Sequence, residues 1–171
     1  GLIMAILISP MIVPLIITAA GMFFFYARIN LVYSFTGIIL AHVALATPFV
    51  VITVTATLVG FDMNMVKASQ SLGAKPLRTF FKIIMPLILP GVISGALFAF
   101  ITSFDEVVIV MFMASLDQLT IPKQMWAGIR QEISPVILCM ATCLVVLSIF
   151  LLTTVELLRR RSEKLRGITA R

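Results

Sequence analysis

Charge is what this sequence has least of. Only 12% of its 171 residues are Asp, Glu, Lys or Arg, against about 25% in ordinary soluble domains, and mean hydropathy is +1.16. A chain so poor in charge cannot coat a water-soluble core and reads as an integral membrane protein. Cysteine is scarce too: Cys139 and Cys143 stand four apart on one face of an apolar segment, and a disulfide frame or metal centre needs further ligands that are not there. Both are expected to be small packing residues, and no metal is expected. A glycine-rich phosphate loop of the GxxxxGK type is absent, so any ATP is bound elsewhere than on this chain. Low-complexity tracts and internal repeats are lacking as well. The net charge of +6 does not point to nucleic acid. Ten of the thirteen Lys and Arg residues fall in two places, a central loop and the C-terminal tail, as a membrane-topology signal does.

What is present is length and apolarity. Four segments, 2–25, 36–59, 83–113 and 133–155, are long enough to cross a bilayer core, which takes about 20 helical residues. Lys67, Lys75, Arg78 and Lys82 in the central loop lie on one side with the tail cluster of 156–171 (Arg159, Arg160, Arg161, Lys164, Arg166, Arg171), while Arg28, Lys123 and Arg130 lie on the other. The positive-inside rule makes the loop and tail cytoplasmic, and four crossings then put Gly1 there too. Gly1 is not an initiator Met, and no charged n-region precedes the first apolar stretch. The sequence therefore reads as a piece lacking an N-terminal part.

Prolines interrupt the apolar segments: Pro10 and Pro14 in the first, Pro48 in the second, Pro86 and Pro90 in the third, Pro135 at the start of the fourth. Such breaks suit helices that move or line a pathway, although Pro and Gly are also simply common in membrane helices. Gly91, Ser94, Gly95 and Ala99 recur at spacings of three and four, which predicts a small-residue stripe for close helix approach.

The central loop, 61–85, carries the most specific pattern. Asp62 is a good N-cap, Met65, Ala68 and Leu72 form an apolar stripe, and Gly73 supplies a stop. Pro76 is a helix-starting proline, and Leu77, Phe80, Phe81 and Ile84 give a second short helix that Pro86 is expected to end. From the residues alone this is a docking surface for a soluble partner or an interfacial helix lying on lipid headgroups.

The spacing in that loop resembles the Glu-Ala-Ala signature of permease subunits of ATP-binding-cassette importers: Glu-Ala-Ala, three residues, Gly, nine residues, Ile-x-Leu-Pro. Lys67, Ala68 and Ser69 occupy the first three positions, followed by Gly73 and then Ile83 to Pro86. Ala68, Gly73, Ile83 and Pro86 match. Lys67 replaces the Glu, so an ion pair made by that Glu does not carry over. Five runs spread along the chain, PFVVITV at 48–54, GFD at 60–62, SLGA at 71–74, SFDEVV at 103–108 and ISP at 133–135, are similar to the spermidine/putrescine permease family in its C-subunit type. That resemblance implies an all-α type I importer transmembrane domain, with the last four of about six helices present, in a bacterial inner membrane. It implies as partners an ATPase dimer that holds the ATP, a second permease subunit and a periplasmic solute-binding protein. Met65, Lys67, Ala68, Ser69, Leu72, Gly73, Pro76, Ile83 and Pro86 would then couple the chain to the ATPase.

Asp105 and Glu106 are the acidic residues of an otherwise apolar run. Intramembrane carboxylates face a cavity or a partner. Two readings stay open: a path for a cationic polyamine, or a structural pair bound to Lys123 or Arg130. His42 has no proton-relay partners on its own helix and reads as a packing or helix-contact residue. The 117–132 segment is amphipathic and outer, with Trp126 as an interfacial anchor or part of a short gate helix. The sequence leaves the solute open between polyamines and other small solutes such as opines or aminophosphonates. A secondary transporter or channel would also break its helices and bury carboxylates, but has no need of the loop.

Overall fold

In the computed structural model, residues 1–131 and 134–165 are described, and no strand occurs among them. The helices are α1 (Leu2–Ile12), α2 (Leu15–Arg28), α3 (Phe35–Val59), α4 (Asn64–Ser71), α5 (Pro76–Thr79), a π turn (Phe80–Ile84), α6 (Met85–Phe104), α7 (Val108–Met113), α8 (Ile121–Gln131) and α9 (Pro135–Leu165).

The first apolar segment is not one straight helix. α1 and α2 meet at an angle of 108°, because Pro14 forces the residue before it out of the helical region. Val13 is extended, with ψ of 136°. At 1.5 Å per residue the legs are roughly 16 and 21 Å long, each short of a core of about 30 Å. Among the described residues three helices are long and apolar enough to cross a membrane, four if the bent pair is counted as one span. The side on which Gly1 lies is therefore not set by counting helices.

Pro48 and Pro90, by contrast, sit inside continuous helices. So does Pro86, which does not end the short helix after Pro76: α5, the π turn and α6 run on as one helix, Pro76–Phe104. The reason lies in the wider turn. Met85 donates its backbone N–H to the Phe80 carbonyl, five residues back, and this loosening one residue ahead of Pro86 gives room for a ring that would crowd the preceding turn of an α-helix. At its other end α6 stops at Phe104, so the expected 83–113 span is divided. Asp105, the C-cap, closes the helix by donating its N–H to Ile101, and the chain restarts as α7.

α3 and α6 form the central pair. Lipid offers no hydrophobic drive between helices, so close association comes from packing and small residues. A side chain on Gly95 would stand 2.5 Å from Thr53 Oγ1 and 3.0 Å from Val50 Cα, and one on Gly91 would stand 3.0 Å from the Thr53 carbonyl. The small-residue stripe thus seats α6 on α3, and Phe49 stacks on Phe98 along the same seam. A second core gathers Ala19, Ala41, Leu45, Ile109 and Met113, with Phe23 and Phe112 against it. It joins α2, α3 and α7.

α9 begins near the expected fourth span, whose first residue, Ile133, lies outside the described residues. The helix then continues through the first part of the basic tail, where Arg160 donates to Glu156 at 2.7 Å. Arg166 and Arg171 lie outside the described residues. None of the apolar window of α9 is buried within this chain. Cys139 and Cys143 are exposed on it, so they do not pack inside the chain as expected.

Candidate functional site

The central loop folds as a compact module. Asp62 is not the N-cap of α4, a position held by Met63. From one residue before that cap its Oδ1 accepts the N–H of Asn64, the first residue of α4, at 2.9 Å. At the other end Gly73 has φ of +78°, Gly73 donates to the Gln70 carbonyl, and Ala74 donates to the Ser69 carbonyl. This crossed pair is the Schellman stop, and its left-handed residue is favourable for Gly.

The faces of α4 are now assigned. Met65, Lys67, Ala68, Leu72, Gly73 and Pro76 are exposed, with Leu72 at 88%. Met63, Leu77 and Phe81 are exposed beside them. Ser69 is different: it is buried, and its hydroxyl is hydrogen-bonded to that of buried Thr79 at 2.9 Å. It faces inward and cannot belong to an external contact. The pair fastens α4 to the start of the long helix, and Thr79 had no signal in the sequence beyond its place in the loop. Ile83 and Pro86 are half-buried within the long helix, beyond the exposed face. Taken together, an apolar, basic-rimmed knob is bolted to a rod that runs on into the membrane span.

The two adjacent carboxylates part company. Glu106 is buried, and its Oε1 accepts the Ile109 N–H at 2.6 Å, which caps the short helix α7. It lines a cavity of about 280 Å³ with Ser103, Thr120, Phe100 and Phe104. Asp105 is exposed and faces a separate, mostly apolar cleft of about 460 Å³ between α6 and α9, with Ser148 and Leu152. Adjacent residues beyond a helix end thus point into different spaces. Neither forms an ion pair with Lys123 or Arg130 among the described residues. Lys123 Nζ donates to the Ser115 carbonyl at 3.5 Å instead, and Lys123, Trp126 and Arg130 share a surface hollow with Met111.

His42 makes a helix contact, one of the two roles expected of it. Its Nδ1 is hydrogen-bonded to Ser103 Oγ on α6 at 2.7 Å. The partner lies 61 residues away, so helix periodicity could not reveal it. No group of three or more His, Cys, Asp or Glu able to hold a metal occurs among the described residues.

Compared with known proteins, residues 1–164 match the model of the binding-protein-dependent transport system inner membrane component. The chain belongs to that family. It is 31% identical over 163 residues to the spermidine/putrescine transport system permease protein PotC of Haemophilus influenzae, covering 95% of the chain and 62% of the relative. To the protein of the same name from Escherichia coli K12 it is 30% identical over 164 residues, covering 96% and 61%. To the putrescine transport system permease protein PotI of that organism it is 31% identical over 140 residues, covering 78% and 50%. The chain therefore spans roughly three fifths of the length of these PotC relatives. Family membership and long apolar helices make it a multi-pass inner-membrane protein with the type I importer fold class.

Proposed function

We propose that the protein containing this chain imports polyamines such as spermidine and putrescine, as the membrane-spanning subunit of an ATP-driven transporter. The chain itself hydrolyses nothing and binds no cofactor. ATP is held by a partner ATPase dimer, a second permease subunit completes the pathway, and a periplasmic solute-binding protein delivers the solute. The names of the relatives support the solute class.

One observation carries the coupling role: the exposed Met65, Ala68 and Leu72 face is stopped sharply at Gly73 and fastened through Ser69 and Thr79 to a helix that runs unbroken to Phe104. A push on the knob is passed to the rod, because the fastening lies upstream of the membrane. Lys67 stands at the rim of the knob and contributes little. At the outer end, the buried Glu106 carboxylate, the Ser103 and Thr120 hydroxyls and the faces of Phe100 and Phe104 line a space whose chemistry suits an ammonium group. Asp105 attracts cations from its separate cleft. The test is reconstitution of the full-length protein with its ATPase, sister permease and binding protein in liposomes. Labelled spermidine should enter only with ATP and be competed by putrescine. Uptake driven by an ion gradient without ATP would overturn the coupling role, and ATP-driven uptake indifferent to both amines would overturn the solute class.

A further inference from the structure

The imidazole of His42 is matched on one side only. Nδ1 meets Ser103, while Nε2 is buried with no hydrogen-bond partner among the described residues. Either neutral tautomer leaves Nε2 unmatched, and leaving a buried polar atom unmatched is costly. An apolar residue of similar size would avoid that cost if packing were all that is required of position 42. What the His adds is control of Ser103, whose side chain also lines the cavity that holds Glu106. A serine hydroxyl has one proton and two lone pairs. The direction of this bond follows the tautomer: with the ring proton on Nε2, Nδ1 accepts the Ser103 proton and the oxygen presents only lone pairs to the cavity, as an acceptor for an ammonium N–H, whereas with it on Nδ1 the ring donates and the serine proton is free. Without Nδ1 the hydroxyl is free to turn its proton toward the Glu106 side, where it would compete with a cation.

We propose that His42 is a positioning residue for cation passage, holding Ser103 as an acceptor beside Glu106. The proposal rests on the reading that this cavity takes an ammonium group. It is tested in the reconstituted complex with labelled putrescine, using His42→Leu, Ser103→Ala, their double variant and His42→Asn, whose amide can stand near the Nδ1 position. Immunoblots of membrane abundance are run for each. His42→Leu should raise KM about tenfold, the scale of one buried hydrogen bond to a charged group, with abundance and maximal rate little changed. The double variant should be no worse than Ser103→Ala alone, since coupled residues are not additive, and Asn should restore KM to within about twofold. Additive losses, or a His42→Leu defect that merely follows abundance, would show a packing role and overturn the proposal. A wild-type KM in His42→Leu would overturn it while leaving polyamine import standing. Absence of putrescine uptake by the wild type would instead remove the reading on which it rests, and the proposal with it.

Discussion

The loop knob and the carboxylate region are built in opposite ways. The knob is local: an Asp-initiated turn, a short helix, a Schellman stop and a hydroxyl pair all lie between residues 62 and 79. It leaves its apolar side chains uncovered. The carboxylate region is assembled from afar, with α2, α3 and α7 sharing one core and His42 reaching Ser103. There the Glu106 carboxylate is covered, although Asp105 is not. An uncovered apolar face needs a partner outside the chain, whereas a covered carboxylate has already found part of its partnership inside. The α3 and α6 seam connects the two.

That contrast can be broken most severely at the seam. Gly95→Leu has no room beside Thr53 and Val50, and overpacking of this kind costs about 1–3 kcal/mol or more. Membrane abundance on immunoblots and thermal stability in detergent should both fall, and both regions should fail together. A stable, transporting Gly95→Leu protein would mean that the seam does not join them.

Next in size is Glu106→Ala, which removes the acceptor for the Ile109 N–H. Loss of such a cap costs about 0.5–2 kcal/mol, read as a lower unfolding temperature. Glu106→Gln keeps an acceptor oxygen and should regain most of that stability while still slowing polyamine uptake. Asp105→Asn, at an exposed position, should leave stability unchanged. If Asp105→Asn destabilises as much as Glu106→Ala, the division of the two carboxylates is wrong.

The difference in construction also explains what the sequence could disclose. Gly73 and Pro76 were legible because turn and helix-start chemistry act within a few residues. The Gly91 and Gly95 stripe was legible because its spacing follows the helix repeat. Pro86 misled because the prohibition on proline within a helix is local, and the π turn that relieves it was not visible in the pattern. Ser69 was expected among the ATPase-coupling residues by its motif position, but the side chain turns toward Thr79, ten residues on. His42 and Ser103 meet only after α3 and α6 pack. Asp105 and Glu106 are neighbours in sequence, and the end of α6 between Phe104 and Asp105 is what sends them apart.

A smaller effect should come from Thr79→Val. It unfastens Ser69, whose hydroxyl keeps a bond to the Val66 carbonyl at 2.8 Å, so the cost is about 0.5–1.5 kcal/mol. ATP hydrolysis should then proceed with less uptake per ATP, because the knob yields before the rod moves. An unchanged ratio would mean that the hydroxyl pair is not part of the linkage. Lys67→Ala should have the least effect, since the side chain is exposed and makes no ion pair among the described residues. Uptake should stay within about twofold of wild type, in keeping with the small worth of surface charges. A complete loss would indicate that a reversed ion pair has replaced the one implied for a Glu at this position.

The central claim is that the uncovered face of α4 is where the ATPase docks. Leu72→Asp tests it most directly, because Leu72 is 88% exposed and touches little within the chain; the substitution spares the fold but places a carboxylate in an apolar contact. The measurement is co-purification of the ATPase with the permease, alongside ATP-driven spermidine uptake at matched membrane abundance. The account predicts that association and uptake are both lost while the permease stays in the membrane. Normal association with normal uptake would contradict it.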